Sequence, residues 1–359
     1  QMCQSQNRQL ETEVHVPLAI VQPPSDQLHF RGQGKKRSMA LFGTNARGYL
    51  PMPVHYSLAM EQAIKFSTEV ADAIKAGKPI VALESTIISH GLPRPSNLEV
   101  ALECERIVRE AGAVPATIAL LDGKILVGLE RAELEAIANR DDISKASIRD
   151  LAIIVAQGKS AATTVAATAH IAAISGINIF ATGGLGGVHR GANESFDESA
   201  DLTALSQLDM TIVCAGVKSI LDVHATLERL ETLAIGLVGY KTNSFPGFYL
   251  TDSGYILEHR VDSPEEIAAI MRARTAVSTQ FKALVVANPV VKEMPKARHD
   301  EILASGLARA KSEGIDGKLV TPFLLEHFHI ASNGESLAIN TEIIKSNCLL
   351  AAQIAVALR

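Results

Sequence analysis

The sequence predicts a three-layer α/β/α protein in which helices flank a central mixed sheet within a single domain. Three observations support this fold class. From about residue 58, short apolar runs alternate with amphipathic segments, as in proteins that combine one sheet with flanking helices. Apolar residues make up 47% of the 359 residues, which is enough for one large core or two modest ones. Two apolar runs flank the turn Asp122-Gly123, and this pattern predicts a hairpin.

The predicted elements follow in order along the chain. Residues 60–76 have apolar side chains at helical spacing, and Gly77 and Pro79 mark the end of this helix. A buried strand is expected at 79–83, directly before Glu84. Further helices are predicted over 97–111, 164–174, 219–233, 263–277, 296–313, 321–331 and 336–358, and further strands over 117–121, 124–129, 178–181, 211–215, 236–240 and 283–287.

Residues 1–55 differ in composition from the rest of the chain. They are rich in Gln, Pro, Ser and Gly and show no hydrophobic periodicity, which is typical of segments without a packed core. We interpret them as a disordered or targeting leader, and residues 56–359 as the folded domain. Arg8 and His15 have the spacing of a degenerate peroxisomal signal, whereas Glu11 argues against an acid-poor transit peptide. A cytoplasmic location is expected, with organellar import through the leader as the alternative.

Composition limits the partners of the protein. A formal net charge of -5 argues against nucleic acid or an anionic membrane as the main partner, and the sequence has no run of about 18 apolar residues to cross a bilayer. The four cysteines form no CxxC pair, which indicates a reducing compartment and no zinc site. The absence of Trp and an aromatic content of 4% disfavour the usual base-stacking surfaces. A small molecule is therefore the expected partner.

A carboxylate ends the first predicted strand. Glu84 follows the apolar run at 79–83 directly, and α/β folds place their sites where strands end. Burial at this position would raise the pKa of Glu84 and suit it to general acid catalysis near neutral pH. The alternative is that Glu84 caps the following turn or pairs with an arginine.

A glycine-rich segment follows the predicted strand at 178–181. Five glycines lie between Gly183 and Gly191, so backbone N–H groups can approach an anion closely. His189 and Arg190 add further donors to the same segment, which disfavours a flexible surface loop. The pattern does not continue as G-x-G-x-x-G, so dinucleotide binding is not supported.

Two carboxylates, Asp197 and Asp201, lie four residues apart, so both are predicted to face one side of a short helix. Carboxylates with little His or Cys nearby suit a hard divalent cation that keeps several water ligands. The alternative is that both stabilise the N-terminus of the helix through its macrodipole. The spacing alone does not separate the two interpretations.

Lys218 lies just beyond the apolar strand at 211–215, where a freely solvated lysine is unusual. Partial burial there would favour the neutral amine that Schiff-base formation with a carbonyl requires. The alternative is a lysine whose aliphatic stem covers the end of the sheet while its ammonium group stays in water. Cys214, inside the strand, is expected to belong to the core.

Other polar residues are candidates for binding parts of a ligand. Lys145 and Arg149 flank Ser147 and are candidates for phosphate binding. Asn288 and Asn340 are candidates for hydrogen bonds to the edge of a base, although capping of turns and helices is the more common use of asparagine.

Four motifs taken together resemble the pseudouridine-5'-phosphate glycosidase family, which includes indigoidine-synthase-A-like proteins. They are ALESTIISHGLPRP from residue 82, ATGGLGGVHRGA from 181, FDESADL from 196 and VCAGVKSILD from 213. The resemblance extends from about residue 60 to the C-terminus, through VVANP at 285–289 and TPFLL at 321–325. It implies cleavage of the carbon–carbon glycosidic bond of pseudouridine 5'-phosphate to uracil and ribose 5-phosphate, in pseudouridine catabolism.

The resemblance also implies roles for individual residues. Glu84 is the expected proton donor, and Lys218 the expected nucleophile, which forms an imine with C1' of the ring-opened ribose. Asp197 is the expected ligand of Mn2+, and a homotrimer is the implied assembly. Substrate contacts are implied for Lys145, Val165, Ser199, Ala200 and Asp201, and further active-site positions for His189 and Asn340.

Two other interpretations use the same residues. A lysine-dependent aldolase or lyase of another phosphorylated sugar would need Lys218 and the phosphate-binding groups but no pocket for uracil. A non-catalytic binding module would need only the glycine-rich segment as an anion site. Release of uracil from pseudouridine 5'-phosphate would distinguish the glycosidase from an aldolase or lyase of another sugar. A borohydride-trapped adduct on Lys218 would exclude a non-catalytic binding module.

Overall fold

Eleven strands form one mixed sheet in the computed structural model, which describes residues 63–315 and 317–359. The predicted leader, residues 1–55, lies outside the described residues. The strands are β1 (Ile64–Phe66), β2 (Ile80–Leu83), β3 (Val114–Leu121), β4 (Lys124–Val127), β5 (Ser144–Ala146), β6 (Ala161–Thr163), β7 (Ile179–Ala181), β8 (Thr211–Cys214), β9 (Gly236–Tyr240), β10 (Arg260–Val261) and β11 (Leu284–Ala287). Their order is β1-β4-β3-β2-β7-β8-β11-β9-β10, and β6 pairs with both β3 and β5. The pairs β3–β4 and β3–β6 are antiparallel, and the other pairs are parallel.

Helices connect these strands and cover both faces of the sheet. They are α1 (Thr68–Lys75), α2 (Ser96–Glu110), α3 (Arg131–Asn139), α4 (Ile148–Ala156), α5 (Val165–Ile174), α6 (Ala192–Ser195), α7 (Ala200–Leu205), α8 (Val223–Thr232), α9 (Pro264–Ala276), α10 (Lys296–Ser312), α11 (Val320–Ala331) and α12 (Glu335–Ala357), with a π-helical turn at Ile87–Gly91 and a 3-10 turn at Gly317–Leu319. Among the described residues, no helix combines the length and the apolar character that crossing a membrane requires.

Side-chain caps set the starting points of several helices. The side-chain oxygens of Ser67, Thr164 and Ser263 each accept a hydrogen bond from a backbone N–H. These N–H groups lie in the first turns of α1, α5 and α9, respectively. Ser199 and Asp222 cap α7 and α8 in the same way. Such caps satisfy backbone donors that have no partner within the helix.

Each central strand contributes to two apolar cores, because successive residues of a strand point to opposite faces of the sheet. In β8, the buried Ile212 belongs to the larger core and its neighbour Val213 to the second. The larger core is shared with α5, α10 and α11, and the second with α2, α9 and α12. Helices therefore cover the sheet on both sides, which confirms the predicted three-layer α/β/α fold.

The direction of the chain changes between β2 and β7, which are neighbours in the sheet. From β2 the chain moves to β3 on one side, and from β7 it moves to β8 on the other. The loops that leave two such strands separate, and in α/β proteins the resulting crevice at the carboxyl ends is the usual place for a ligand. Glu84 and Thr182 are the first residues after these two strands.

Two predicted helices differ from the structure at their beginnings. The helix predicted over 60–76 is wrong in its first half, because Ile64–Phe66 pairs with β4 as a parallel strand and Ser67 caps the helix that follows. The helix predicted over 219–233 begins only at Val223, where Asp222 provides the cap. Strand pairing decides where the first of these helices begins, and a side-chain cap decides where the second begins. The apolar spacing from which both helices were predicted is the same in either case.

Asn347 ties α12 to the carboxyl edge of the sheet. It is 1% exposed, and its Nδ2 donates to the Thr182 carbonyl at 2.7 Å. Its Oδ1 accepts a hydrogen bond from Asn288 Nδ2 at 2.9 Å. The residues that follow β7 and β11 are thus held by the same side chain of the C-terminal helix.

We expect Asn347→Leu to lower the free energy of unfolding by about 1–3 kcal/mol, because it leaves the buried partners of the amide unsatisfied. Denaturant unfolding followed by circular dichroism measures the change. Gln353→Leu, at an exposed position of the same helix, serves as the control and should change the value by no more than about 0.5 kcal/mol. Equal stability of the two variants would contradict the role assigned to Asn347.

Candidate active site

Three cavities lie side by side at the carboxyl edge of the sheet. We call them the polar cavity, of about 410 Å³, the central cavity, of about 300 Å³, and the outer cavity, of about 520 Å³. The central cavity has walls in common with both of the others, whereas the polar and outer cavities share no described residue. The residues common to the polar and central cavities are Glu84, Thr86, Lys145, Lys218 and Thr321.

Glu84 is buried at the boundary of the polar and central cavities, with 8% of its surface exposed. Its carboxyl group accepts a hydrogen bond from Oγ1 of Thr182, which follows the neighbouring strand β7. Burial raises the pKa of Glu84, while the positive charge of Lys218 and the hydrogen bond from Thr182 oppose that rise. A carboxyl group with a raised pKa can hold a proton near neutral pH, as a general acid must.

A network of hydroxyl groups fixes the turn that follows Glu84. Ser85 Oγ donates to the Ile118 carbonyl at 2.7 Å and accepts from the Thr163 backbone N–H at 2.9 Å. Thr86 Oγ1 donates to the Thr163 carbonyl at 2.6 Å. These bonds join β3 and β6 to the end of β2, so the direction of the Glu84 side chain is set by three strands.

Lys218 follows β8 and lines the polar and central cavities together with Glu84. Its backbone N–H donates to the Leu185 carbonyl at 3.1 Å, and the residue is half-buried. The prediction that Cys214 belongs to the core is confirmed, since it has no exposed surface. Burial raises the pKa of Cys214 to about 12, so this residue is a thiol and not a thiolate. Of these two residues, Lys218 is the one that lines the cavities.

Asp201 joins the glycine-rich segment to the start of α5. Its buried carboxylate accepts hydrogen bonds from the backbone N–H groups of Ala166, at 3.0 Å, and Gly186, at 2.9 Å. A Cβ at Gly186 would lie 2.6 Å from that carboxylate and 2.2 Å from Ser199 Oγ. The Leu185 N–H donates to the Gly216 carbonyl. These N–H groups serve internal acceptors, and Gly186 is needed for close packing.

Asp197 and His189 both line the polar cavity. The distance from His189 Nδ1 to Asp197 Oδ2 is 3.7 Å. Burial lowers the pKa of His189, and Asp197 opposes this effect. The prediction that Asp197 and Asp201 share one face of a short helix is wrong. Helix α7 begins at Ala200 because Ser199 caps it, and Asp197 precedes it.

The polar cavity collects most of the residues that the family resemblance implied. Lys145 and Arg149 line it, and Ser147 between them caps α4. The starts of α5 and α7 form another part of its wall. The predicted residues in this cavity are Glu84, Lys145, Val165, His189, Asp197, Ser199, Ala200, Asp201 and Lys218.

The two asparagine candidates have different positions. Asn340, on α12, is 7% exposed and lines the central and outer cavities. Asn288 donates to Ser346 Oγ at 3.0 Å and to Asn347, so it holds helix α12. Asn288 lines none of the three cavities, and the hydrogen bonds of its amide go to side chains of α12.

Several residues of the site were missed by sequence reasoning. Thr182 follows β7 directly, as Glu84 follows β2, so the strand-end rule could have found it. Phe248 lines the central cavity and packs against the glycine-rich segment, where a Cβ at Gly184 would lie 2.7 Å from its ring. The loop that carries Phe248 has no periodic pattern, so no sequence signal pointed to it. The other residues missed on the walls of the central cavity include Thr86, His90 and Thr321.

A cation held by Asp197, the predicted metal ligand, would have to retain most of its water ligands. Among the described residues, no cluster of three or more His, Cys, Asp or Glu side chains is placed to hold a metal ion. Asp197 offers one carboxylate at the polar cavity, next to His189. A small divalent cation of this type commonly takes one or two carboxylates, with water and substrate phosphate as the other ligands.

The fold and the site define an enzyme of the α/β class, because a buried carboxyl group and an amine share two cavities at the carboxyl edge of the sheet. Residues 69–357 match the family described as "Indigoidine synthase A like protein", and the chain belongs to this family. The family predicted from the four motifs is thereby confirmed.

Relatives and solved structures agree with this assignment. Pseudouridine-5'-phosphate glycosidase from Salinispora tropica is 58% identical over 296 residues, which cover 82% of this chain and 91% of that protein. The Staphylococcus aureus protein of the same name is 46% identical over 300 residues, covering 83% and 97%. An indigoidine synthase A-like protein from Thermotoga maritima has 40% identity and a TM-score of 0.75, covering 82% and 96%. A prealnumycin C-glycosynthase in complex with ribulose 5-phosphate has 34% identity and a TM-score of 0.76, covering 83% and 97%.

The raised pKa of Glu84 has a consequence for stability. A carboxyl group whose pKa is higher in the folded state favours folding most at pH values below its ordinary pKa of 4.5, and this contribution is lost as the pH rises through the folded-state pKa. Glu84→Gln cannot ionise. We therefore expect the free energy of unfolding of the wild type, relative to that of Glu84→Gln, to fall as the pH rises from about 4 to about 8.

Denaturant unfolding of both proteins at several pH values measures this difference. Glu99→Gln, at an exposed position of α2, is the matched control for loss of a carboxylate. A difference between wild type and Glu84→Gln that stays constant, or rises, over this pH range would contradict the burial of an ionisable Glu84.

Proposed function

We propose that the chain catalyses the reversible cleavage of the carbon–carbon glycosidic bond of pseudouridine 5'-phosphate to uracil and ribose 5-phosphate, in pseudouridine catabolism. The observation that carries the proposal is the placement of Glu84 and Lys218 on the walls of the same two cavities. Relatives named for this activity, 58% and 46% identical to the chain, support it. So does the related C-glycosynthase whose structure contains ribulose 5-phosphate.

The chemistry of the substrate explains the need for an amine. In an ordinary nucleoside a nitrogen atom leaves the sugar, whereas here the sugar is joined to C5 of uracil. Cleavage therefore requires a proton on that carbon and an acceptor of electrons on the sugar. An iminium between C1' and Lys218 is such an acceptor.

The first step opens the ribose ring. The Nζ atom of Lys218 bonds to C1' while the C1'–O4' bond breaks, and O4' takes a proton from the attacking nitrogen to become a hydroxyl group. The neutral amine is needed because an ammonium group has no lone pair to form this bond.

The second step breaks the glycosidic bond. Glu84 gives its proton to C5 of the pyrimidine, the nitrogen lone pair forms the C1'=Nζ iminium, and the electrons of the C1'–C5 bond return to the ring. Uracil is then free, and the sugar stays on Lys218. General acid catalysis of this type commonly contributes a factor of about 10²–10⁴ in rate.

The third step regenerates the enzyme. Water attacks the iminium carbon, its oxygen becomes the aldehyde oxygen of ribose 5-phosphate, and Lys218 leaves as an ammonium group. That ammonium group returns one proton to the Glu84 carboxylate. Both groups line the same two cavities, so this return would take place within the site.

The charges of the cavities favour one orientation of the substrate. Lys145 and Arg149 line the polar cavity, so the phosphate and the sugar would bind there. The base would occupy the central cavity, where Asn340 can form hydrogen bonds to its edge and Phe248 offers an aromatic surface. Glu84 and Lys218 lie at the boundary, where the glycosidic bond would be.

Mn2+ or a similar divalent cation is part of the proposal. Asp197 would hold it in the polar cavity, and its charge would help to neutralise and orient the phosphorylated sugar. Asp201 is engaged by two backbone N–H groups, so its role would be to shape the cavity. A homotrimeric assembly, implied by the family resemblance, is a further part of the proposal that sedimentation or light scattering would test.

Lys218→Ala should reduce turnover of pseudouridine 5'-phosphate by at least about a thousandfold, which corresponds to about 4 kcal/mol of barrier. The rate is measured from the change in absorbance as uracil forms. Incubation of the wild type with ribose 5-phosphate and borohydride should add mass to Lys218, located by peptide mapping. Lys124→Ala, at an exposed position of β4, is the control. Near-normal turnover by Lys218→Ala would remove the covalent mechanism.

Asp197→Asn should weaken binding of Mn2+ by at least about tenfold. Loss of a residue that only supports a metal ligand already costs at least this much affinity, and Asp197 is proposed as a ligand itself. Electron paramagnetic resonance of free Mn2+ measures this without reference to activity. Glu194→Gln, an exposed carboxylate in the same segment, should bind Mn2+ as the wild type does. Unchanged affinity in Asp197→Asn would exclude the proposed cation site.

A further inference from the structure

The outer cavity continues the active site on the side away from the sugar phosphate. It shares His90, Leu325 and Asn340 with the central cavity, among other residues, but shares no described residue with the polar cavity. The three cavities therefore form a row with the central cavity in the middle. At the far end of the row, Pro93 and Glu326 are exposed, so the outer cavity reaches solvent.

The charges of the two end cavities differ. The polar cavity contains the cations Lys145, Arg149 and Lys218, together with the carboxyl groups of Glu84, Asp197, Glu198 and Asp201. The described residues that line the outer cavity include no lysine or arginine, and Glu326 adds a negative charge. A phosphorylated sugar would be repelled there, whereas an uncharged planar base would contact Tyr249, Phe323 and Leu337. The volume, about 520 Å³, falls within the range of about 300–1,000 Å³ that small-molecule sites have.

The order of events in the proposed reaction creates a need for a second opening. This step rests on the proposed function. When the C1'–C5 bond breaks, the sugar phosphate is still bonded to Lys218 and occupies the polar cavity. Uracil lies in the central cavity, and its way out through the polar cavity is closed until the iminium is hydrolysed.

We propose that the free pyrimidine base leaves, and in the reverse reaction enters, through the outer cavity. The sugar phosphate enters and leaves through the polar cavity. Because each reactant has its own route, the base departs while the lysine-bound sugar remains in place. The same arrangement lets a base reach a sugar that is already bonded to Lys218, as synthesis of the glycosidic bond requires.

Substitutions that fill the outer cavity test the proposal without touching the shared walls. Leu337→Trp places a large side chain inside the outer cavity, and Glu326→Trp places one at its exposed end. Neither residue lines the central cavity. Ile330→Trp, on the same helix as Glu326, adds the same side chain at a position that is 61% exposed and outside the cavity. Glu326→Gln separates the effect of size from that of charge.

The reaction is measured in the direction of synthesis, with uracil and ribose 5-phosphate varied separately. We expect the two cavity-filling variants to lower kcat/KM for uracil by at least about tenfold, as blocked association routes do. We expect kcat/KM for ribose 5-phosphate to remain within about twofold of the wild type, because its route is not altered. Trapping of ribose 5-phosphate on Lys218 by borohydride should also be unchanged. Ile330→Trp and Glu326→Gln should behave as the wild type.

The outcomes separate the route from the proposed function. If the wild type forms no pseudouridine 5'-phosphate from the two reactants and releases no uracil from it, the proposed function fails, and the route fails with it. If the wild type is active and both cavity-filling variants match it, only the route is overturned. An equal fall in kcat/KM for both reactants would also overturn the route, because it indicates a general disturbance of the site.

Discussion

The hydrogen bond from Thr182 to the buried Glu84 carboxyl joins β2 to β7 where the chain moves away from these strands in opposite directions. This contact places an ionisable group at the bottom of a crevice formed by diverging loops. Burial raises the pKa of Glu84, while the nearby Lys218 charge works in the opposite direction. Burial and the nearby amine therefore have opposite effects on the protonation of the acid, and the chemistry proposed for the site depends on that balance.

A framework of internal hydrogen bonds holds these groups in position. The carboxylate of Asp201 fixes the glycine-rich segment to the start of α5, and Asn347 fixes the loop after β7 to the C-terminal helix. Ser85 and its partners on neighbouring strands set the turn after Glu84. Buried polar groups are expensive to leave unpaired, so the framework resists movement of the loops that carry Glu84 and Lys218. Much of the polar character of the family motifs thus serves the positioning of two side chains.

The three cavities also differ in which reactant they are suited to bind. The polar cavity contains lysine, arginine and carboxyl groups, whereas the described lining of the outer cavity has no lysine or arginine and combines apolar and aromatic groups with a few neutral polar side chains and one carboxylate. Lysine and arginine side chains that can bind a phosphate group are thus available at one end of the site, whereas a neutral base needs no such partner at the other. The central cavity, between them, is where the two reactants would meet beside Glu84 and Lys218.

The sequence by itself determined the fold class, the family and most of the residues proposed for the site, which the structure brings together around one cavity. Strand ends followed by polar residues pointed to Glu84 and Lys218, because apolar runs of four or five residues predict a strand and its carboxyl end. The tertiary structure alone decided that Asp197 lies outside a helix, that Asn288 braces α12 and that Thr182 and Phe248 join the site. These outcomes depend on contacts between segments far apart in the chain. Local periodicity reports which face of an element is buried, but it carries no information about what that face meets.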